Sequence, residues 1–391
     1  MRAEFSDASL SNLDIVYFGT HDWAAMRQRA QQIALRLAAR HRVLYVNPCY
    51  YSAPGFVRDL LANRGTRRNI WSVEQISEGL QVASFPPLLP KGPEYPALGR
   101  VNFALQLPFI RATLARLNMR RPVLWLVTPA DRALIGRLGE RLTAYDCMDL
   151  HAGFHTGATA ARIAAEETRL LRAVDVVFAS SPQLVDHCRQ HNDDVHLIRN
   201  GVDLSNFAGS FPPLADAPPP PVIGYMGYIG PWVDIDLLIA VARAYPQATL
   251  SLVGPVRTDL KGLDALPNVR LWGERPYAEM GAFVQSFDVC LIPFAVNALT
   301  QAVNPVKLYE YLALGKPVVS TALPELRHYQ DVSYVAEDGE GFIAAVARAL
   351  EEGGDLALAT RRRACAEANR WEERADEIMR VLDAALQARG G

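Results

Sequence analysis

A lysine and a glutamate that could bind a phosphorylated ligand stand three residues apart within NPVKLYEYLALGKPVVST, residues 304–321. In a helix this spacing places Lys307 and Glu310 on one face. A helix amino end attracts anions through its free N–H groups and its dipole, so a lysine there becomes favourable once an anion such as a diphosphate binds. Glu310, one turn further on, could accept hydrogen bonds from a diol such as a ribose.

The helix that carries this pair has marked ends. Asn304 is a favourable N-cap, Pro305 suits the first helical position and Gly315 suits the end, which predicts a helix over residues 305–314. The alternative for the pair is an exposed ion pair, worth on the order of a few tenths of a kcal/mol. The long polar loop before the helix, residues 293–303, favours ligand binding.

Short β-rich runs alternate with helical stretches on both sides of a proline-rich segment, residues 211–221. Strands interleaved with helices of this kind predict βαβ units and parallel sheets. We therefore expect an α/β fold with two doubly wound Rossmann-like domains, residues 1–210 and 222–370, joined by the proline-rich linker. Residues 371–391 should form an amphipathic helix that docks across the domain junction. Ligands bind at the carboxyl ends of parallel strands, so two such sheets should face each other across a cleft.

Composition is that of a soluble globular protein: half of the 391 residues are apolar and a fifth are charged. The sequence has no apolar run of ~20 residues and no basic-then-apolar leader, which predicts a cytoplasmic protein. The five cysteines are scattered without metal-ligand spacing, which favours free thiols in a reducing compartment.

Charge is distributed unevenly, with +7 over residues 1–150 and −9 over the remainder. The first domain could therefore face an anionic membrane or a phosphate-bearing substrate; the alternative is a solvated arginine-rich surface. Residues 100–121 interleave five arginines with apolar side chains. This pattern suits a helix on the inner face of the cell membrane, or else a core helix with a basic solvent face.

Two common phosphate-binding motifs, G-x-G-x-x-G and G-x-x-x-x-G-K-[ST], are absent. The nearest run, Gly224-Tyr-Met-Gly227-Tyr-Ile-Gly230, has the wrong spacing for a dinucleotide turn, which disfavours nicotinamide chemistry. Gly227 and Gly230 either make a tight strand-to-helix connection or leave their backbone open to a ligand. Asp234-Ile-Asp236 has the letters of a metal motif, but it opens a helix and is interpreted as capping.

The string PVKLYEYLALGKPVV resembles the donor-binding signature of GT-B glycosyltransferases, in the large group 1 (family 4 type) that includes retaining enzymes. Residues 198–207 (IRNGVDLSNF), 224–238 and 269–294 resemble further stretches of that family in the same order. YDC-D at 145–149 is similar to the bacterial exopolysaccharide and teichuronic-acid type enzymes.

This resemblance implies transfer of a hexose from a nucleoside-diphosphate sugar to a saccharide or lipid-linked acceptor in cell-surface polysaccharide synthesis. It implies no metal, no cofactor beyond the co-substrate and no nucleic acid. The alternatives are a nucleotide-sugar epimerase or hydrolase on the same fold, and a non-catalytic donor-binding homologue.

The resemblance also implies the donor contacts, with Lys307 on the diphosphate and Glu310 on the ribose. The other implied contacts are Gly227 and Gly230 at the sugar phosphate, Gly273, Glu274 and Arg275 at the base, Thr300 to Asn304 beside the donor sugar, and Val306 at the helix start.

Two stretches depart from the family pattern. Ala302 stands where the family commonly has a second glutamate, and residues 231–234 lack the usual arginine or lysine. Lys307 and the helix dipole should therefore stabilise more of the leaving group, with Arg275 as a further candidate cation. The choice between inversion and retention stays open.

The acceptor side is expected at two strand ends of the first domain. Within YDCMDLHAGFH, Asp149 lies just past a strand and is the candidate base for an inverting reaction, with His151 as the second candidate. A structural capping role is the alternative for Asp149. Asp146, inside the strand, is interpreted as a buried hydrogen-bonding residue.

The other strand end reads FGTHDWAAMRQR, residues 18–29. Gly19 should make a tight turn, with His21, Asp22 and Trp23 opening the next helix. By the resemblance this turn receives the acceptor, and Trp23 could stack on a sugar face. Asp22 either binds the acceptor or caps the helix.

Overall fold

The computed structural model describes residues 12–25, 27–48, 71–85, 96–352 and 354–390. It divides into two compact units. Residues 180–184 and 197–374 form the second unit, and the first contains the rest of the described chain. The α4 helix (Pro182–Arg189) and the α12 helix (Trp371–Gly390) each begin in the second unit and end in the first.

The first unit is built on an eight-stranded sheet of order β3-β4-β2-β1-β5-β6-β7-β8. Five neighbouring pairs from β4 to β7 are parallel, and β3 runs antiparallel to β4 at the edge. The chain adds strands on one side of β1 and then, from β5 onward, on its other side. Open α/β sheets bind ligands at such a switch point. The strands are β1 (Asp14–Phe18), β2 (Arg42–Val46), β3 (Ser72–Ser77), β4 (Leu80–Ser84), β5 (Val123–Leu126), β6 (Leu142–Cys147), β7 (Val176–Ala179) and β8 (Val195–Leu197).

The second unit is built on a six-stranded, wholly parallel sheet of order β11-β10-β9-β12-β13-β14. Its switch point lies between β9 and β12. These strands are almost continuously apolar because helices cover both faces. They are β9 (Val222–Met226), β10 (Thr249–Val253), β11 (Val269–Gly273), β12 (Val289–Ile292), β13 (Val318–Thr321) and β14 (Tyr334–Ala336).

The remaining helices follow the strands and pack on the sheets. They are α1 (Arg29–Leu37), α2 (Pro96–Arg116), α3 (Gly157–Leu171), α5 (Leu204–Phe207), α6 (Ile235–Ala244), α7 (Met280–Gln285), α8 (Ala298–Gln301), α9 (Val306–Ala313), α10 (Gly339–Glu351) and α11 (Leu356–Glu367). In the part of the chain that the structure describes, no helix is long and apolar enough to cross a bilayer.

The predicted α/β fold with two mostly parallel sheets is confirmed. The predicted linker, residues 211–221, differs from the observed division, because residues 197–221 belong to the second unit. They are held there by side chains: Phe207 is fully buried in its core, and the Gln285 amide both accepts from the Phe211 N–H and donates to its carbonyl, each at 2.8 Å.

Candidate active site

Two glycines follow neighbouring strands at the carboxyl edge of the second sheet, so the backbone carries no side chain at these two positions. Gly227, after β9, has φ of +128°, and a Cβ added there would lie 3.2 Å from Lys307 Nζ. Gly254, after β10, has φ of +138°, and a Cβ there would lie 2.1 Å from the Gly227 carbonyl oxygen. Both positions therefore require glycine. Gly254 was not predicted as a site residue, although it ends a strand run as Gly227 does.

Lys307 lies in the first turn of α9, with its ammonium group directed at this glycine edge. Its Nζ is 5.2 Å from the ring centroid of Tyr225 on β9 and 5.0 Å from that of Phe294, just after β12. Across residues 96–352 and the other described ranges, no hydrogen-bond acceptor or carboxylate pairs with it. Burial lowers the pKa of Lys307, and the attraction of Glu310 opposes this only in part.

Glu310 lies one turn further along α9 and is 7% exposed. Burial raises the pKa of its carboxyl group, which Lys307 partly offsets, and Asp203 raises it further. Among the described residues no group donates a hydrogen bond to this carboxylate. The alternative of an exposed Lys307–Glu310 ion pair is therefore wrong, because Glu310 is buried, Lys307 is half-buried and no pair within 4.0 Å forms between them.

Asn304 is not the N-cap that its residue type predicted. The cap residue is Pro305, without a side-chain hydrogen bond, and α9 begins at Val306. Asn304 instead pairs with Asn200: its Oδ1 accepts from the Asn200 N–H at 2.8 Å, and its carbonyl accepts from Asn200 Nδ2 at 2.5 Å. Its own Nδ2 donates to Tyr309 Oη at 2.9 Å. A distant segment thus fixes the start of the helix.

The loop before α9 is fixed in the same way. Thr300, 2% exposed, donates its hydroxyl to the Ala295 carbonyl at 2.5 Å and accepts from the Asn297 N–H at 3.0 Å. The Ala302 carbonyl accepts from Ser181 Oγ at 2.6 Å. The side chains of Thr300 and Asn304 therefore hold the loop, and their contact with a donor sugar stays a prediction.

The predicted base-binding residues lie at the end of β11, next to the ring of Trp272. Arg275 donates from Nε to the Trp272 carbonyl at 3.2 Å, and its guanidinium carbon is 5.7 Å from the Trp272 ring centroid. Glu274 is exposed and lies close enough to Tyr228 to raise the pKa of that phenol, after the larger effect of burial. Arg257 lowers the same pKa. Tyr228 and Arg257 were not predicted, because the base pocket was sought only after β11.

Gly230 has a packing explanation, since a Cβ there would lie 2.7 Å from the Trp232 ring. The following Asp234 caps α6, accepting from the Leu237 N–H at 2.9 Å, and Asp236 pairs with Lys261 at 2.5 Å. The capping interpretation of Asp234-Ile-Asp236 is therefore confirmed.

In the first unit, Asp149 follows β6 and is partly buried. Burial raises the pKa of its carboxyl group to about 7; the nearby Arg29 lowers it and Asp146 raises it. Within the described ranges no side chain or N–H group bonds to this carboxylate. Asp149 does not cap the following 3₁₀ segment, whose cap residue is Leu150. A carboxylate with a pKa near neutrality suits proton transfer.

Asp146 is the buried hydrogen-bonding residue that its position inside β6 predicted. It is fully buried, accepts from Arg29 Nε at 2.9 Å and from Tyr17 Oη at 3.2 Å, and forms an ion pair with Arg29 at 2.8 Å. Its charge is therefore balanced inside the protein. Asp149, three residues later, lacks such a partner among the described residues.

His151 lies beside Asp149 and reaches the end of β5, at the switch point. Its Nε2 is 2.9 Å from the Val127 carbonyl oxygen. Since a carbonyl only accepts, Nε2 carries the proton, and Nδ1 of the neutral ring keeps its lone pair. Burial lowers the pKa of His151, more than the neighbouring Glu167 raises it, so the ring is neutral near pH 7.

The first strand end forms a turn rather than a helix start. Here α1 begins at Arg29, not after Trp23, and the predicted capping of a helix by Asp22 is wrong: Asp22 Oδ1 accepts from the Ala24 N–H at 3.0 Å in a local turn. The Trp23 N–H donates to Asn47 Oδ1 at 2.8 Å, which holds the turn against β2.

The side chain of Tyr45, on β2, leaves room only for a glycine at position 19 of this turn. A Cβ at Gly19 would lie 2.0 Å from Tyr45 Oη, which donates to the His21 carbonyl at 2.7 Å. The half-buried Trp23 meets the Tyr45 ring edge-on, with centroids 5.0 Å apart. Burial lowers the pKa of His21 and favours its neutral form. Trp23 thus presents an aromatic ring at the carboxyl edge of the first sheet.

Comparison with known proteins identifies the family. TuaH of Bacillus subtilis (strain 168), named as a teichuronic acid biosynthesis glycosyltransferase, is 30% identical over 296 residues, which cover 68% of this chain and 73% of TuaH. Residues 220–352 match the family described as glycosyl transferases group 1. The chain belongs to the group 1 glycosyltransferases. Its activity is therefore glycosyl transfer, and α9 lies inside the matched range.

Solved structures support the same GT-B fold. Sucrose-phosphate synthase from Thermosynechococcus elongatus is 18% identical with a TM-score of 0.73, covering 96% of this chain and 100% of that chain. The catalytic domain of starch synthase IV from Arabidopsis thaliana, bound to ADP and acarbose, is 12% identical with a TM-score of 0.67, covering 96% and 100%. Anabaena HepE in complex with UDP and glucose is 16% identical with a TM-score of 0.63, covering 95% and 100%.

Proposed function

We propose that this glycosyltransferase takes its sugar from a nucleoside-diphosphate sugar, whose diphosphate is bound by Lys307 and the amino end of α9. The observation that carries the proposal is the pair formed by the half-buried Lys307 and the buried Glu310, beside the backbone of Gly227 and Gly254. In the described structure neither charged group has a hydrogen-bond or ion-pair partner. A phosphate oxygen would give the ammonium group a partner of opposite charge. A ribose diol would donate to the Glu310 carboxylate.

On cleavage of the bond between sugar and diphosphate, negative charge grows on the leaving phosphate. Lys307 Nζ and the unpaired N–H groups of the first helical turn face that charge and stabilise it. A resident metal ion is not needed in this scheme. Arg257 and Arg275 are candidate second cations in place of the basic residue missing from 231–234.

On the acceptor side we propose Asp149 as the group that removes the proton of the attacking hydroxyl in an inverting reaction. Its raised pKa and its lack of a protein donor among the described residues support this role. His151, neutral with a free Nδ1 lone pair, is the second candidate. Trp23 and His21 at the end of β1 are proposed to contact the acceptor sugar.

The relation to TuaH supports a saccharide or lipid-linked acceptor in the synthesis of a cell-surface polysaccharide. A lipid-linked acceptor would place the reaction at the inner face of the cell membrane. We therefore also propose peripheral membrane contact through the basic first unit.

Binding of a nucleoside-diphosphate panel, measured by thermal shift and calorimetry with and without EDTA, tests the donor proposal. We expect at least one diphosphate to bind equally well with EDTA and its sugar conjugate to be slowly hydrolysed. If no diphosphate binds, the donor proposal is wrong. If binding or turnover requires a divalent cation, metal independence is wrong, and Lys307 must bind the diphosphate together with a metal ion.

A further inference from the structure

A cavity of about 490 Å³ opens at the amino ends of the first sheet, opposite the edge that carries Asp149. The end of α2 and the loops before β5 and β6 line it. Three of its lining residues are the arginines Arg111, Arg120 and Arg137, and none is acidic. We refer to it as the arginine pocket.

Among the described residues no carboxylate pairs with the guanidinium groups of these three arginines. The nearby Asp14 carboxylate accepts from the Arg120 backbone N–H at 2.9 Å and pairs with Arg42. Arg111 donates from Nε and Nη2 to the Arg137 carbonyl at 3.1 and 2.9 Å, and Arg120 donates from Nε to Asn118 Oδ1 at 3.1 Å. These bonds leave guanidinium N–H groups unused on every one of the three.

Several arginines elsewhere in the first unit do pair with carboxylates. Arg42 pairs with Asp14 at 2.7 Å, Arg40 with Asp376 at 2.8 Å and Arg132 with Glu166 at 3.3 Å. The arginine pocket therefore concentrates positive charge in a concave surface with N–H groups suited to phosphate oxygens.

A stripe of exposed apolar residues on α2 leads to the pocket. Val101 and Leu105 are 46% and 57% exposed, and Pro108, Ala112 and Ala115 continue the same face at helical spacing. Ala115 also lines the pocket.

The opposite face of α2 is buried and unusually polar, with Asn102 and Gln106 at 3% and 6% exposure beside Ile110. The helix thus exposes apolar residues and buries amides, which reverses the usual arrangement for a core helix. Neither sequence interpretation of residues 100–121 anticipated this arrangement in full.

We propose that this surface binds an anionic phospholipid bilayer, with a headgroup phosphate in the arginine pocket and Val101 and Leu105 at the acyl boundary. Helices that lie on an anionic bilayer bind it through positive charge and exposed apolar side chains, and this surface has both side by side. The proposal specifies the membrane contact proposed above and rests on it. Because the pocket lies at the sheet edge opposite Asp149, it concerns anchoring of the protein and not delivery of the acceptor, and it does not depend on the donor site in the second unit.

The test is co-sedimentation of the full chain with vesicles of phosphatidylcholine, with or without phosphatidylglycerol. The wild-type protein is expected to bind only the vesicles that contain phosphatidylglycerol. The double variant Arg120→Gln/Arg137→Gln keeps both Arg111 bonds to the Arg137 carbonyl and should bind about 30-fold more weakly. Val101→Gln/Leu105→Gln should also weaken binding.

The matched control is Arg40→Gln/Arg132→Gln, which removes the same charge from two paired arginines and should weaken binding by less than about threefold. Equal losses in both double variants would overturn the pocket and leave only general charge attraction. A pocket that binds inorganic phosphate, seen as stabilisation absent from Arg120→Gln/Arg137→Gln, while the protein binds no vesicle, would overturn the lipid assignment in favour of a soluble phosphate.

Self-association lost in Val101→Gln/Leu105→Gln, without vesicle binding by the wild type, would assign the stripe to a second copy of the chain and overturn the proposal. Thermal unfolding followed by circular dichroism shows that each variant is folded, and nucleoside-diphosphate affinity is measured on the same proteins. This affinity separates the two proposals, since loss of vesicle binding with retained diphosphate binding concerns the membrane surface alone.

Discussion

Replacing Lys307 by methionine should weaken nucleotide binding while stabilising the free protein. Methionine keeps the apolar stem between Tyr225 and Phe294 but removes the charge. A hydrogen bond to a charged group contributes about 1.5–3 kcal/mol, so the Kd for the nucleoside diphosphate should rise about 10- to 150-fold. Calorimetric titration with the diphosphate that binds the wild type measures this change.

The stability effect has the opposite sign because burial lowers the pKa of Lys307. A lowered pKa means that the folded protein disfavours the charged form, so its charge destabilises the fold at neutral pH. Lys307→Met should therefore raise the free energy of unfolding by about 1 kcal/mol at pH 7. The gain should shrink as pH rises toward 10.5, the ordinary pKa of lysine, because the wild-type side chain then loses its proton in both states.

Lys316→Met is the matched control, just beyond the carboxyl end of the same helix. Burial also lowers the pKa of Lys316, but its Nζ donates to the Gln285 carbonyl at 2.7 Å. This variant should keep diphosphate affinity and gain no stability. Unchanged affinity in Lys307→Met, or an equal loss in both variants, would refute the diphosphate assignment. A loss of stability in Lys307→Met would show that its charge has a partner in the free protein.

Three further variants test the remaining assignments. Asp149→Asn should abolish turnover while keeping diphosphate affinity. The carboxyl pKa of Asp149 is raised in the folded protein, so its charge destabilises the fold at pH values above the pKa of about 4 that it has in the unfolded chain. Chemical denaturation should therefore show that the variant gains stability at pH 8 but not at pH 4. Wild-type turnover should rise through about pH 7, and a flat profile would contradict Asp149 as base. Gly254→Ala should lose at least about 2 kcal/mol in urea unfolding because its Cβ meets the Gly227 carbonyl, whereas Gly209→Ala, at φ of +99° in open space, should lose less. Asn304→Ala should lower both melting temperature and diphosphate affinity, and retention of both would show that the Asn200 pairing does not position α9.

Apolar strands and their alternation with helices were predictable because each buried strand carries its own signal. The edge strand β3 reads SVEQIS and is largely exposed, so it lacks that signal. The start of α1 was misplaced because Tyr45 on β2 and Asn47 just after it hold the chain in a turn as far as Trp23. Such contacts between distant segments leave no local pattern.

The candidate site shows the same limit at single residues. The spacing of Lys307 and Glu310 predicted a shared helix face correctly, because helical geometry is local. The role of Asn304 was mispredicted because pairing with Asn200, 104 residues away, replaced the local capping preference. Gly254 was missed since its requirement for glycine arises from the neighbouring strand end at Gly227.

Charge pairing distinguishes structural ionisable groups from the proposed functional ones in both units. Arg29 with Asp146 and Arg362 with Glu352 are buried ion pairs, so each desolvated charge has a protein partner. Glu310 is also buried and Asp149 and Lys307 are half-buried, yet within the described chain the charged groups of these three residues have no hydrogen-bond partner. The free protein thus bears an electrostatic cost at these three positions that donor and acceptor groups can relieve. If this is right, variants that stabilise the free protein at these positions must lose substrate affinity or turnover, whereas stabilising changes at the paired sites need not.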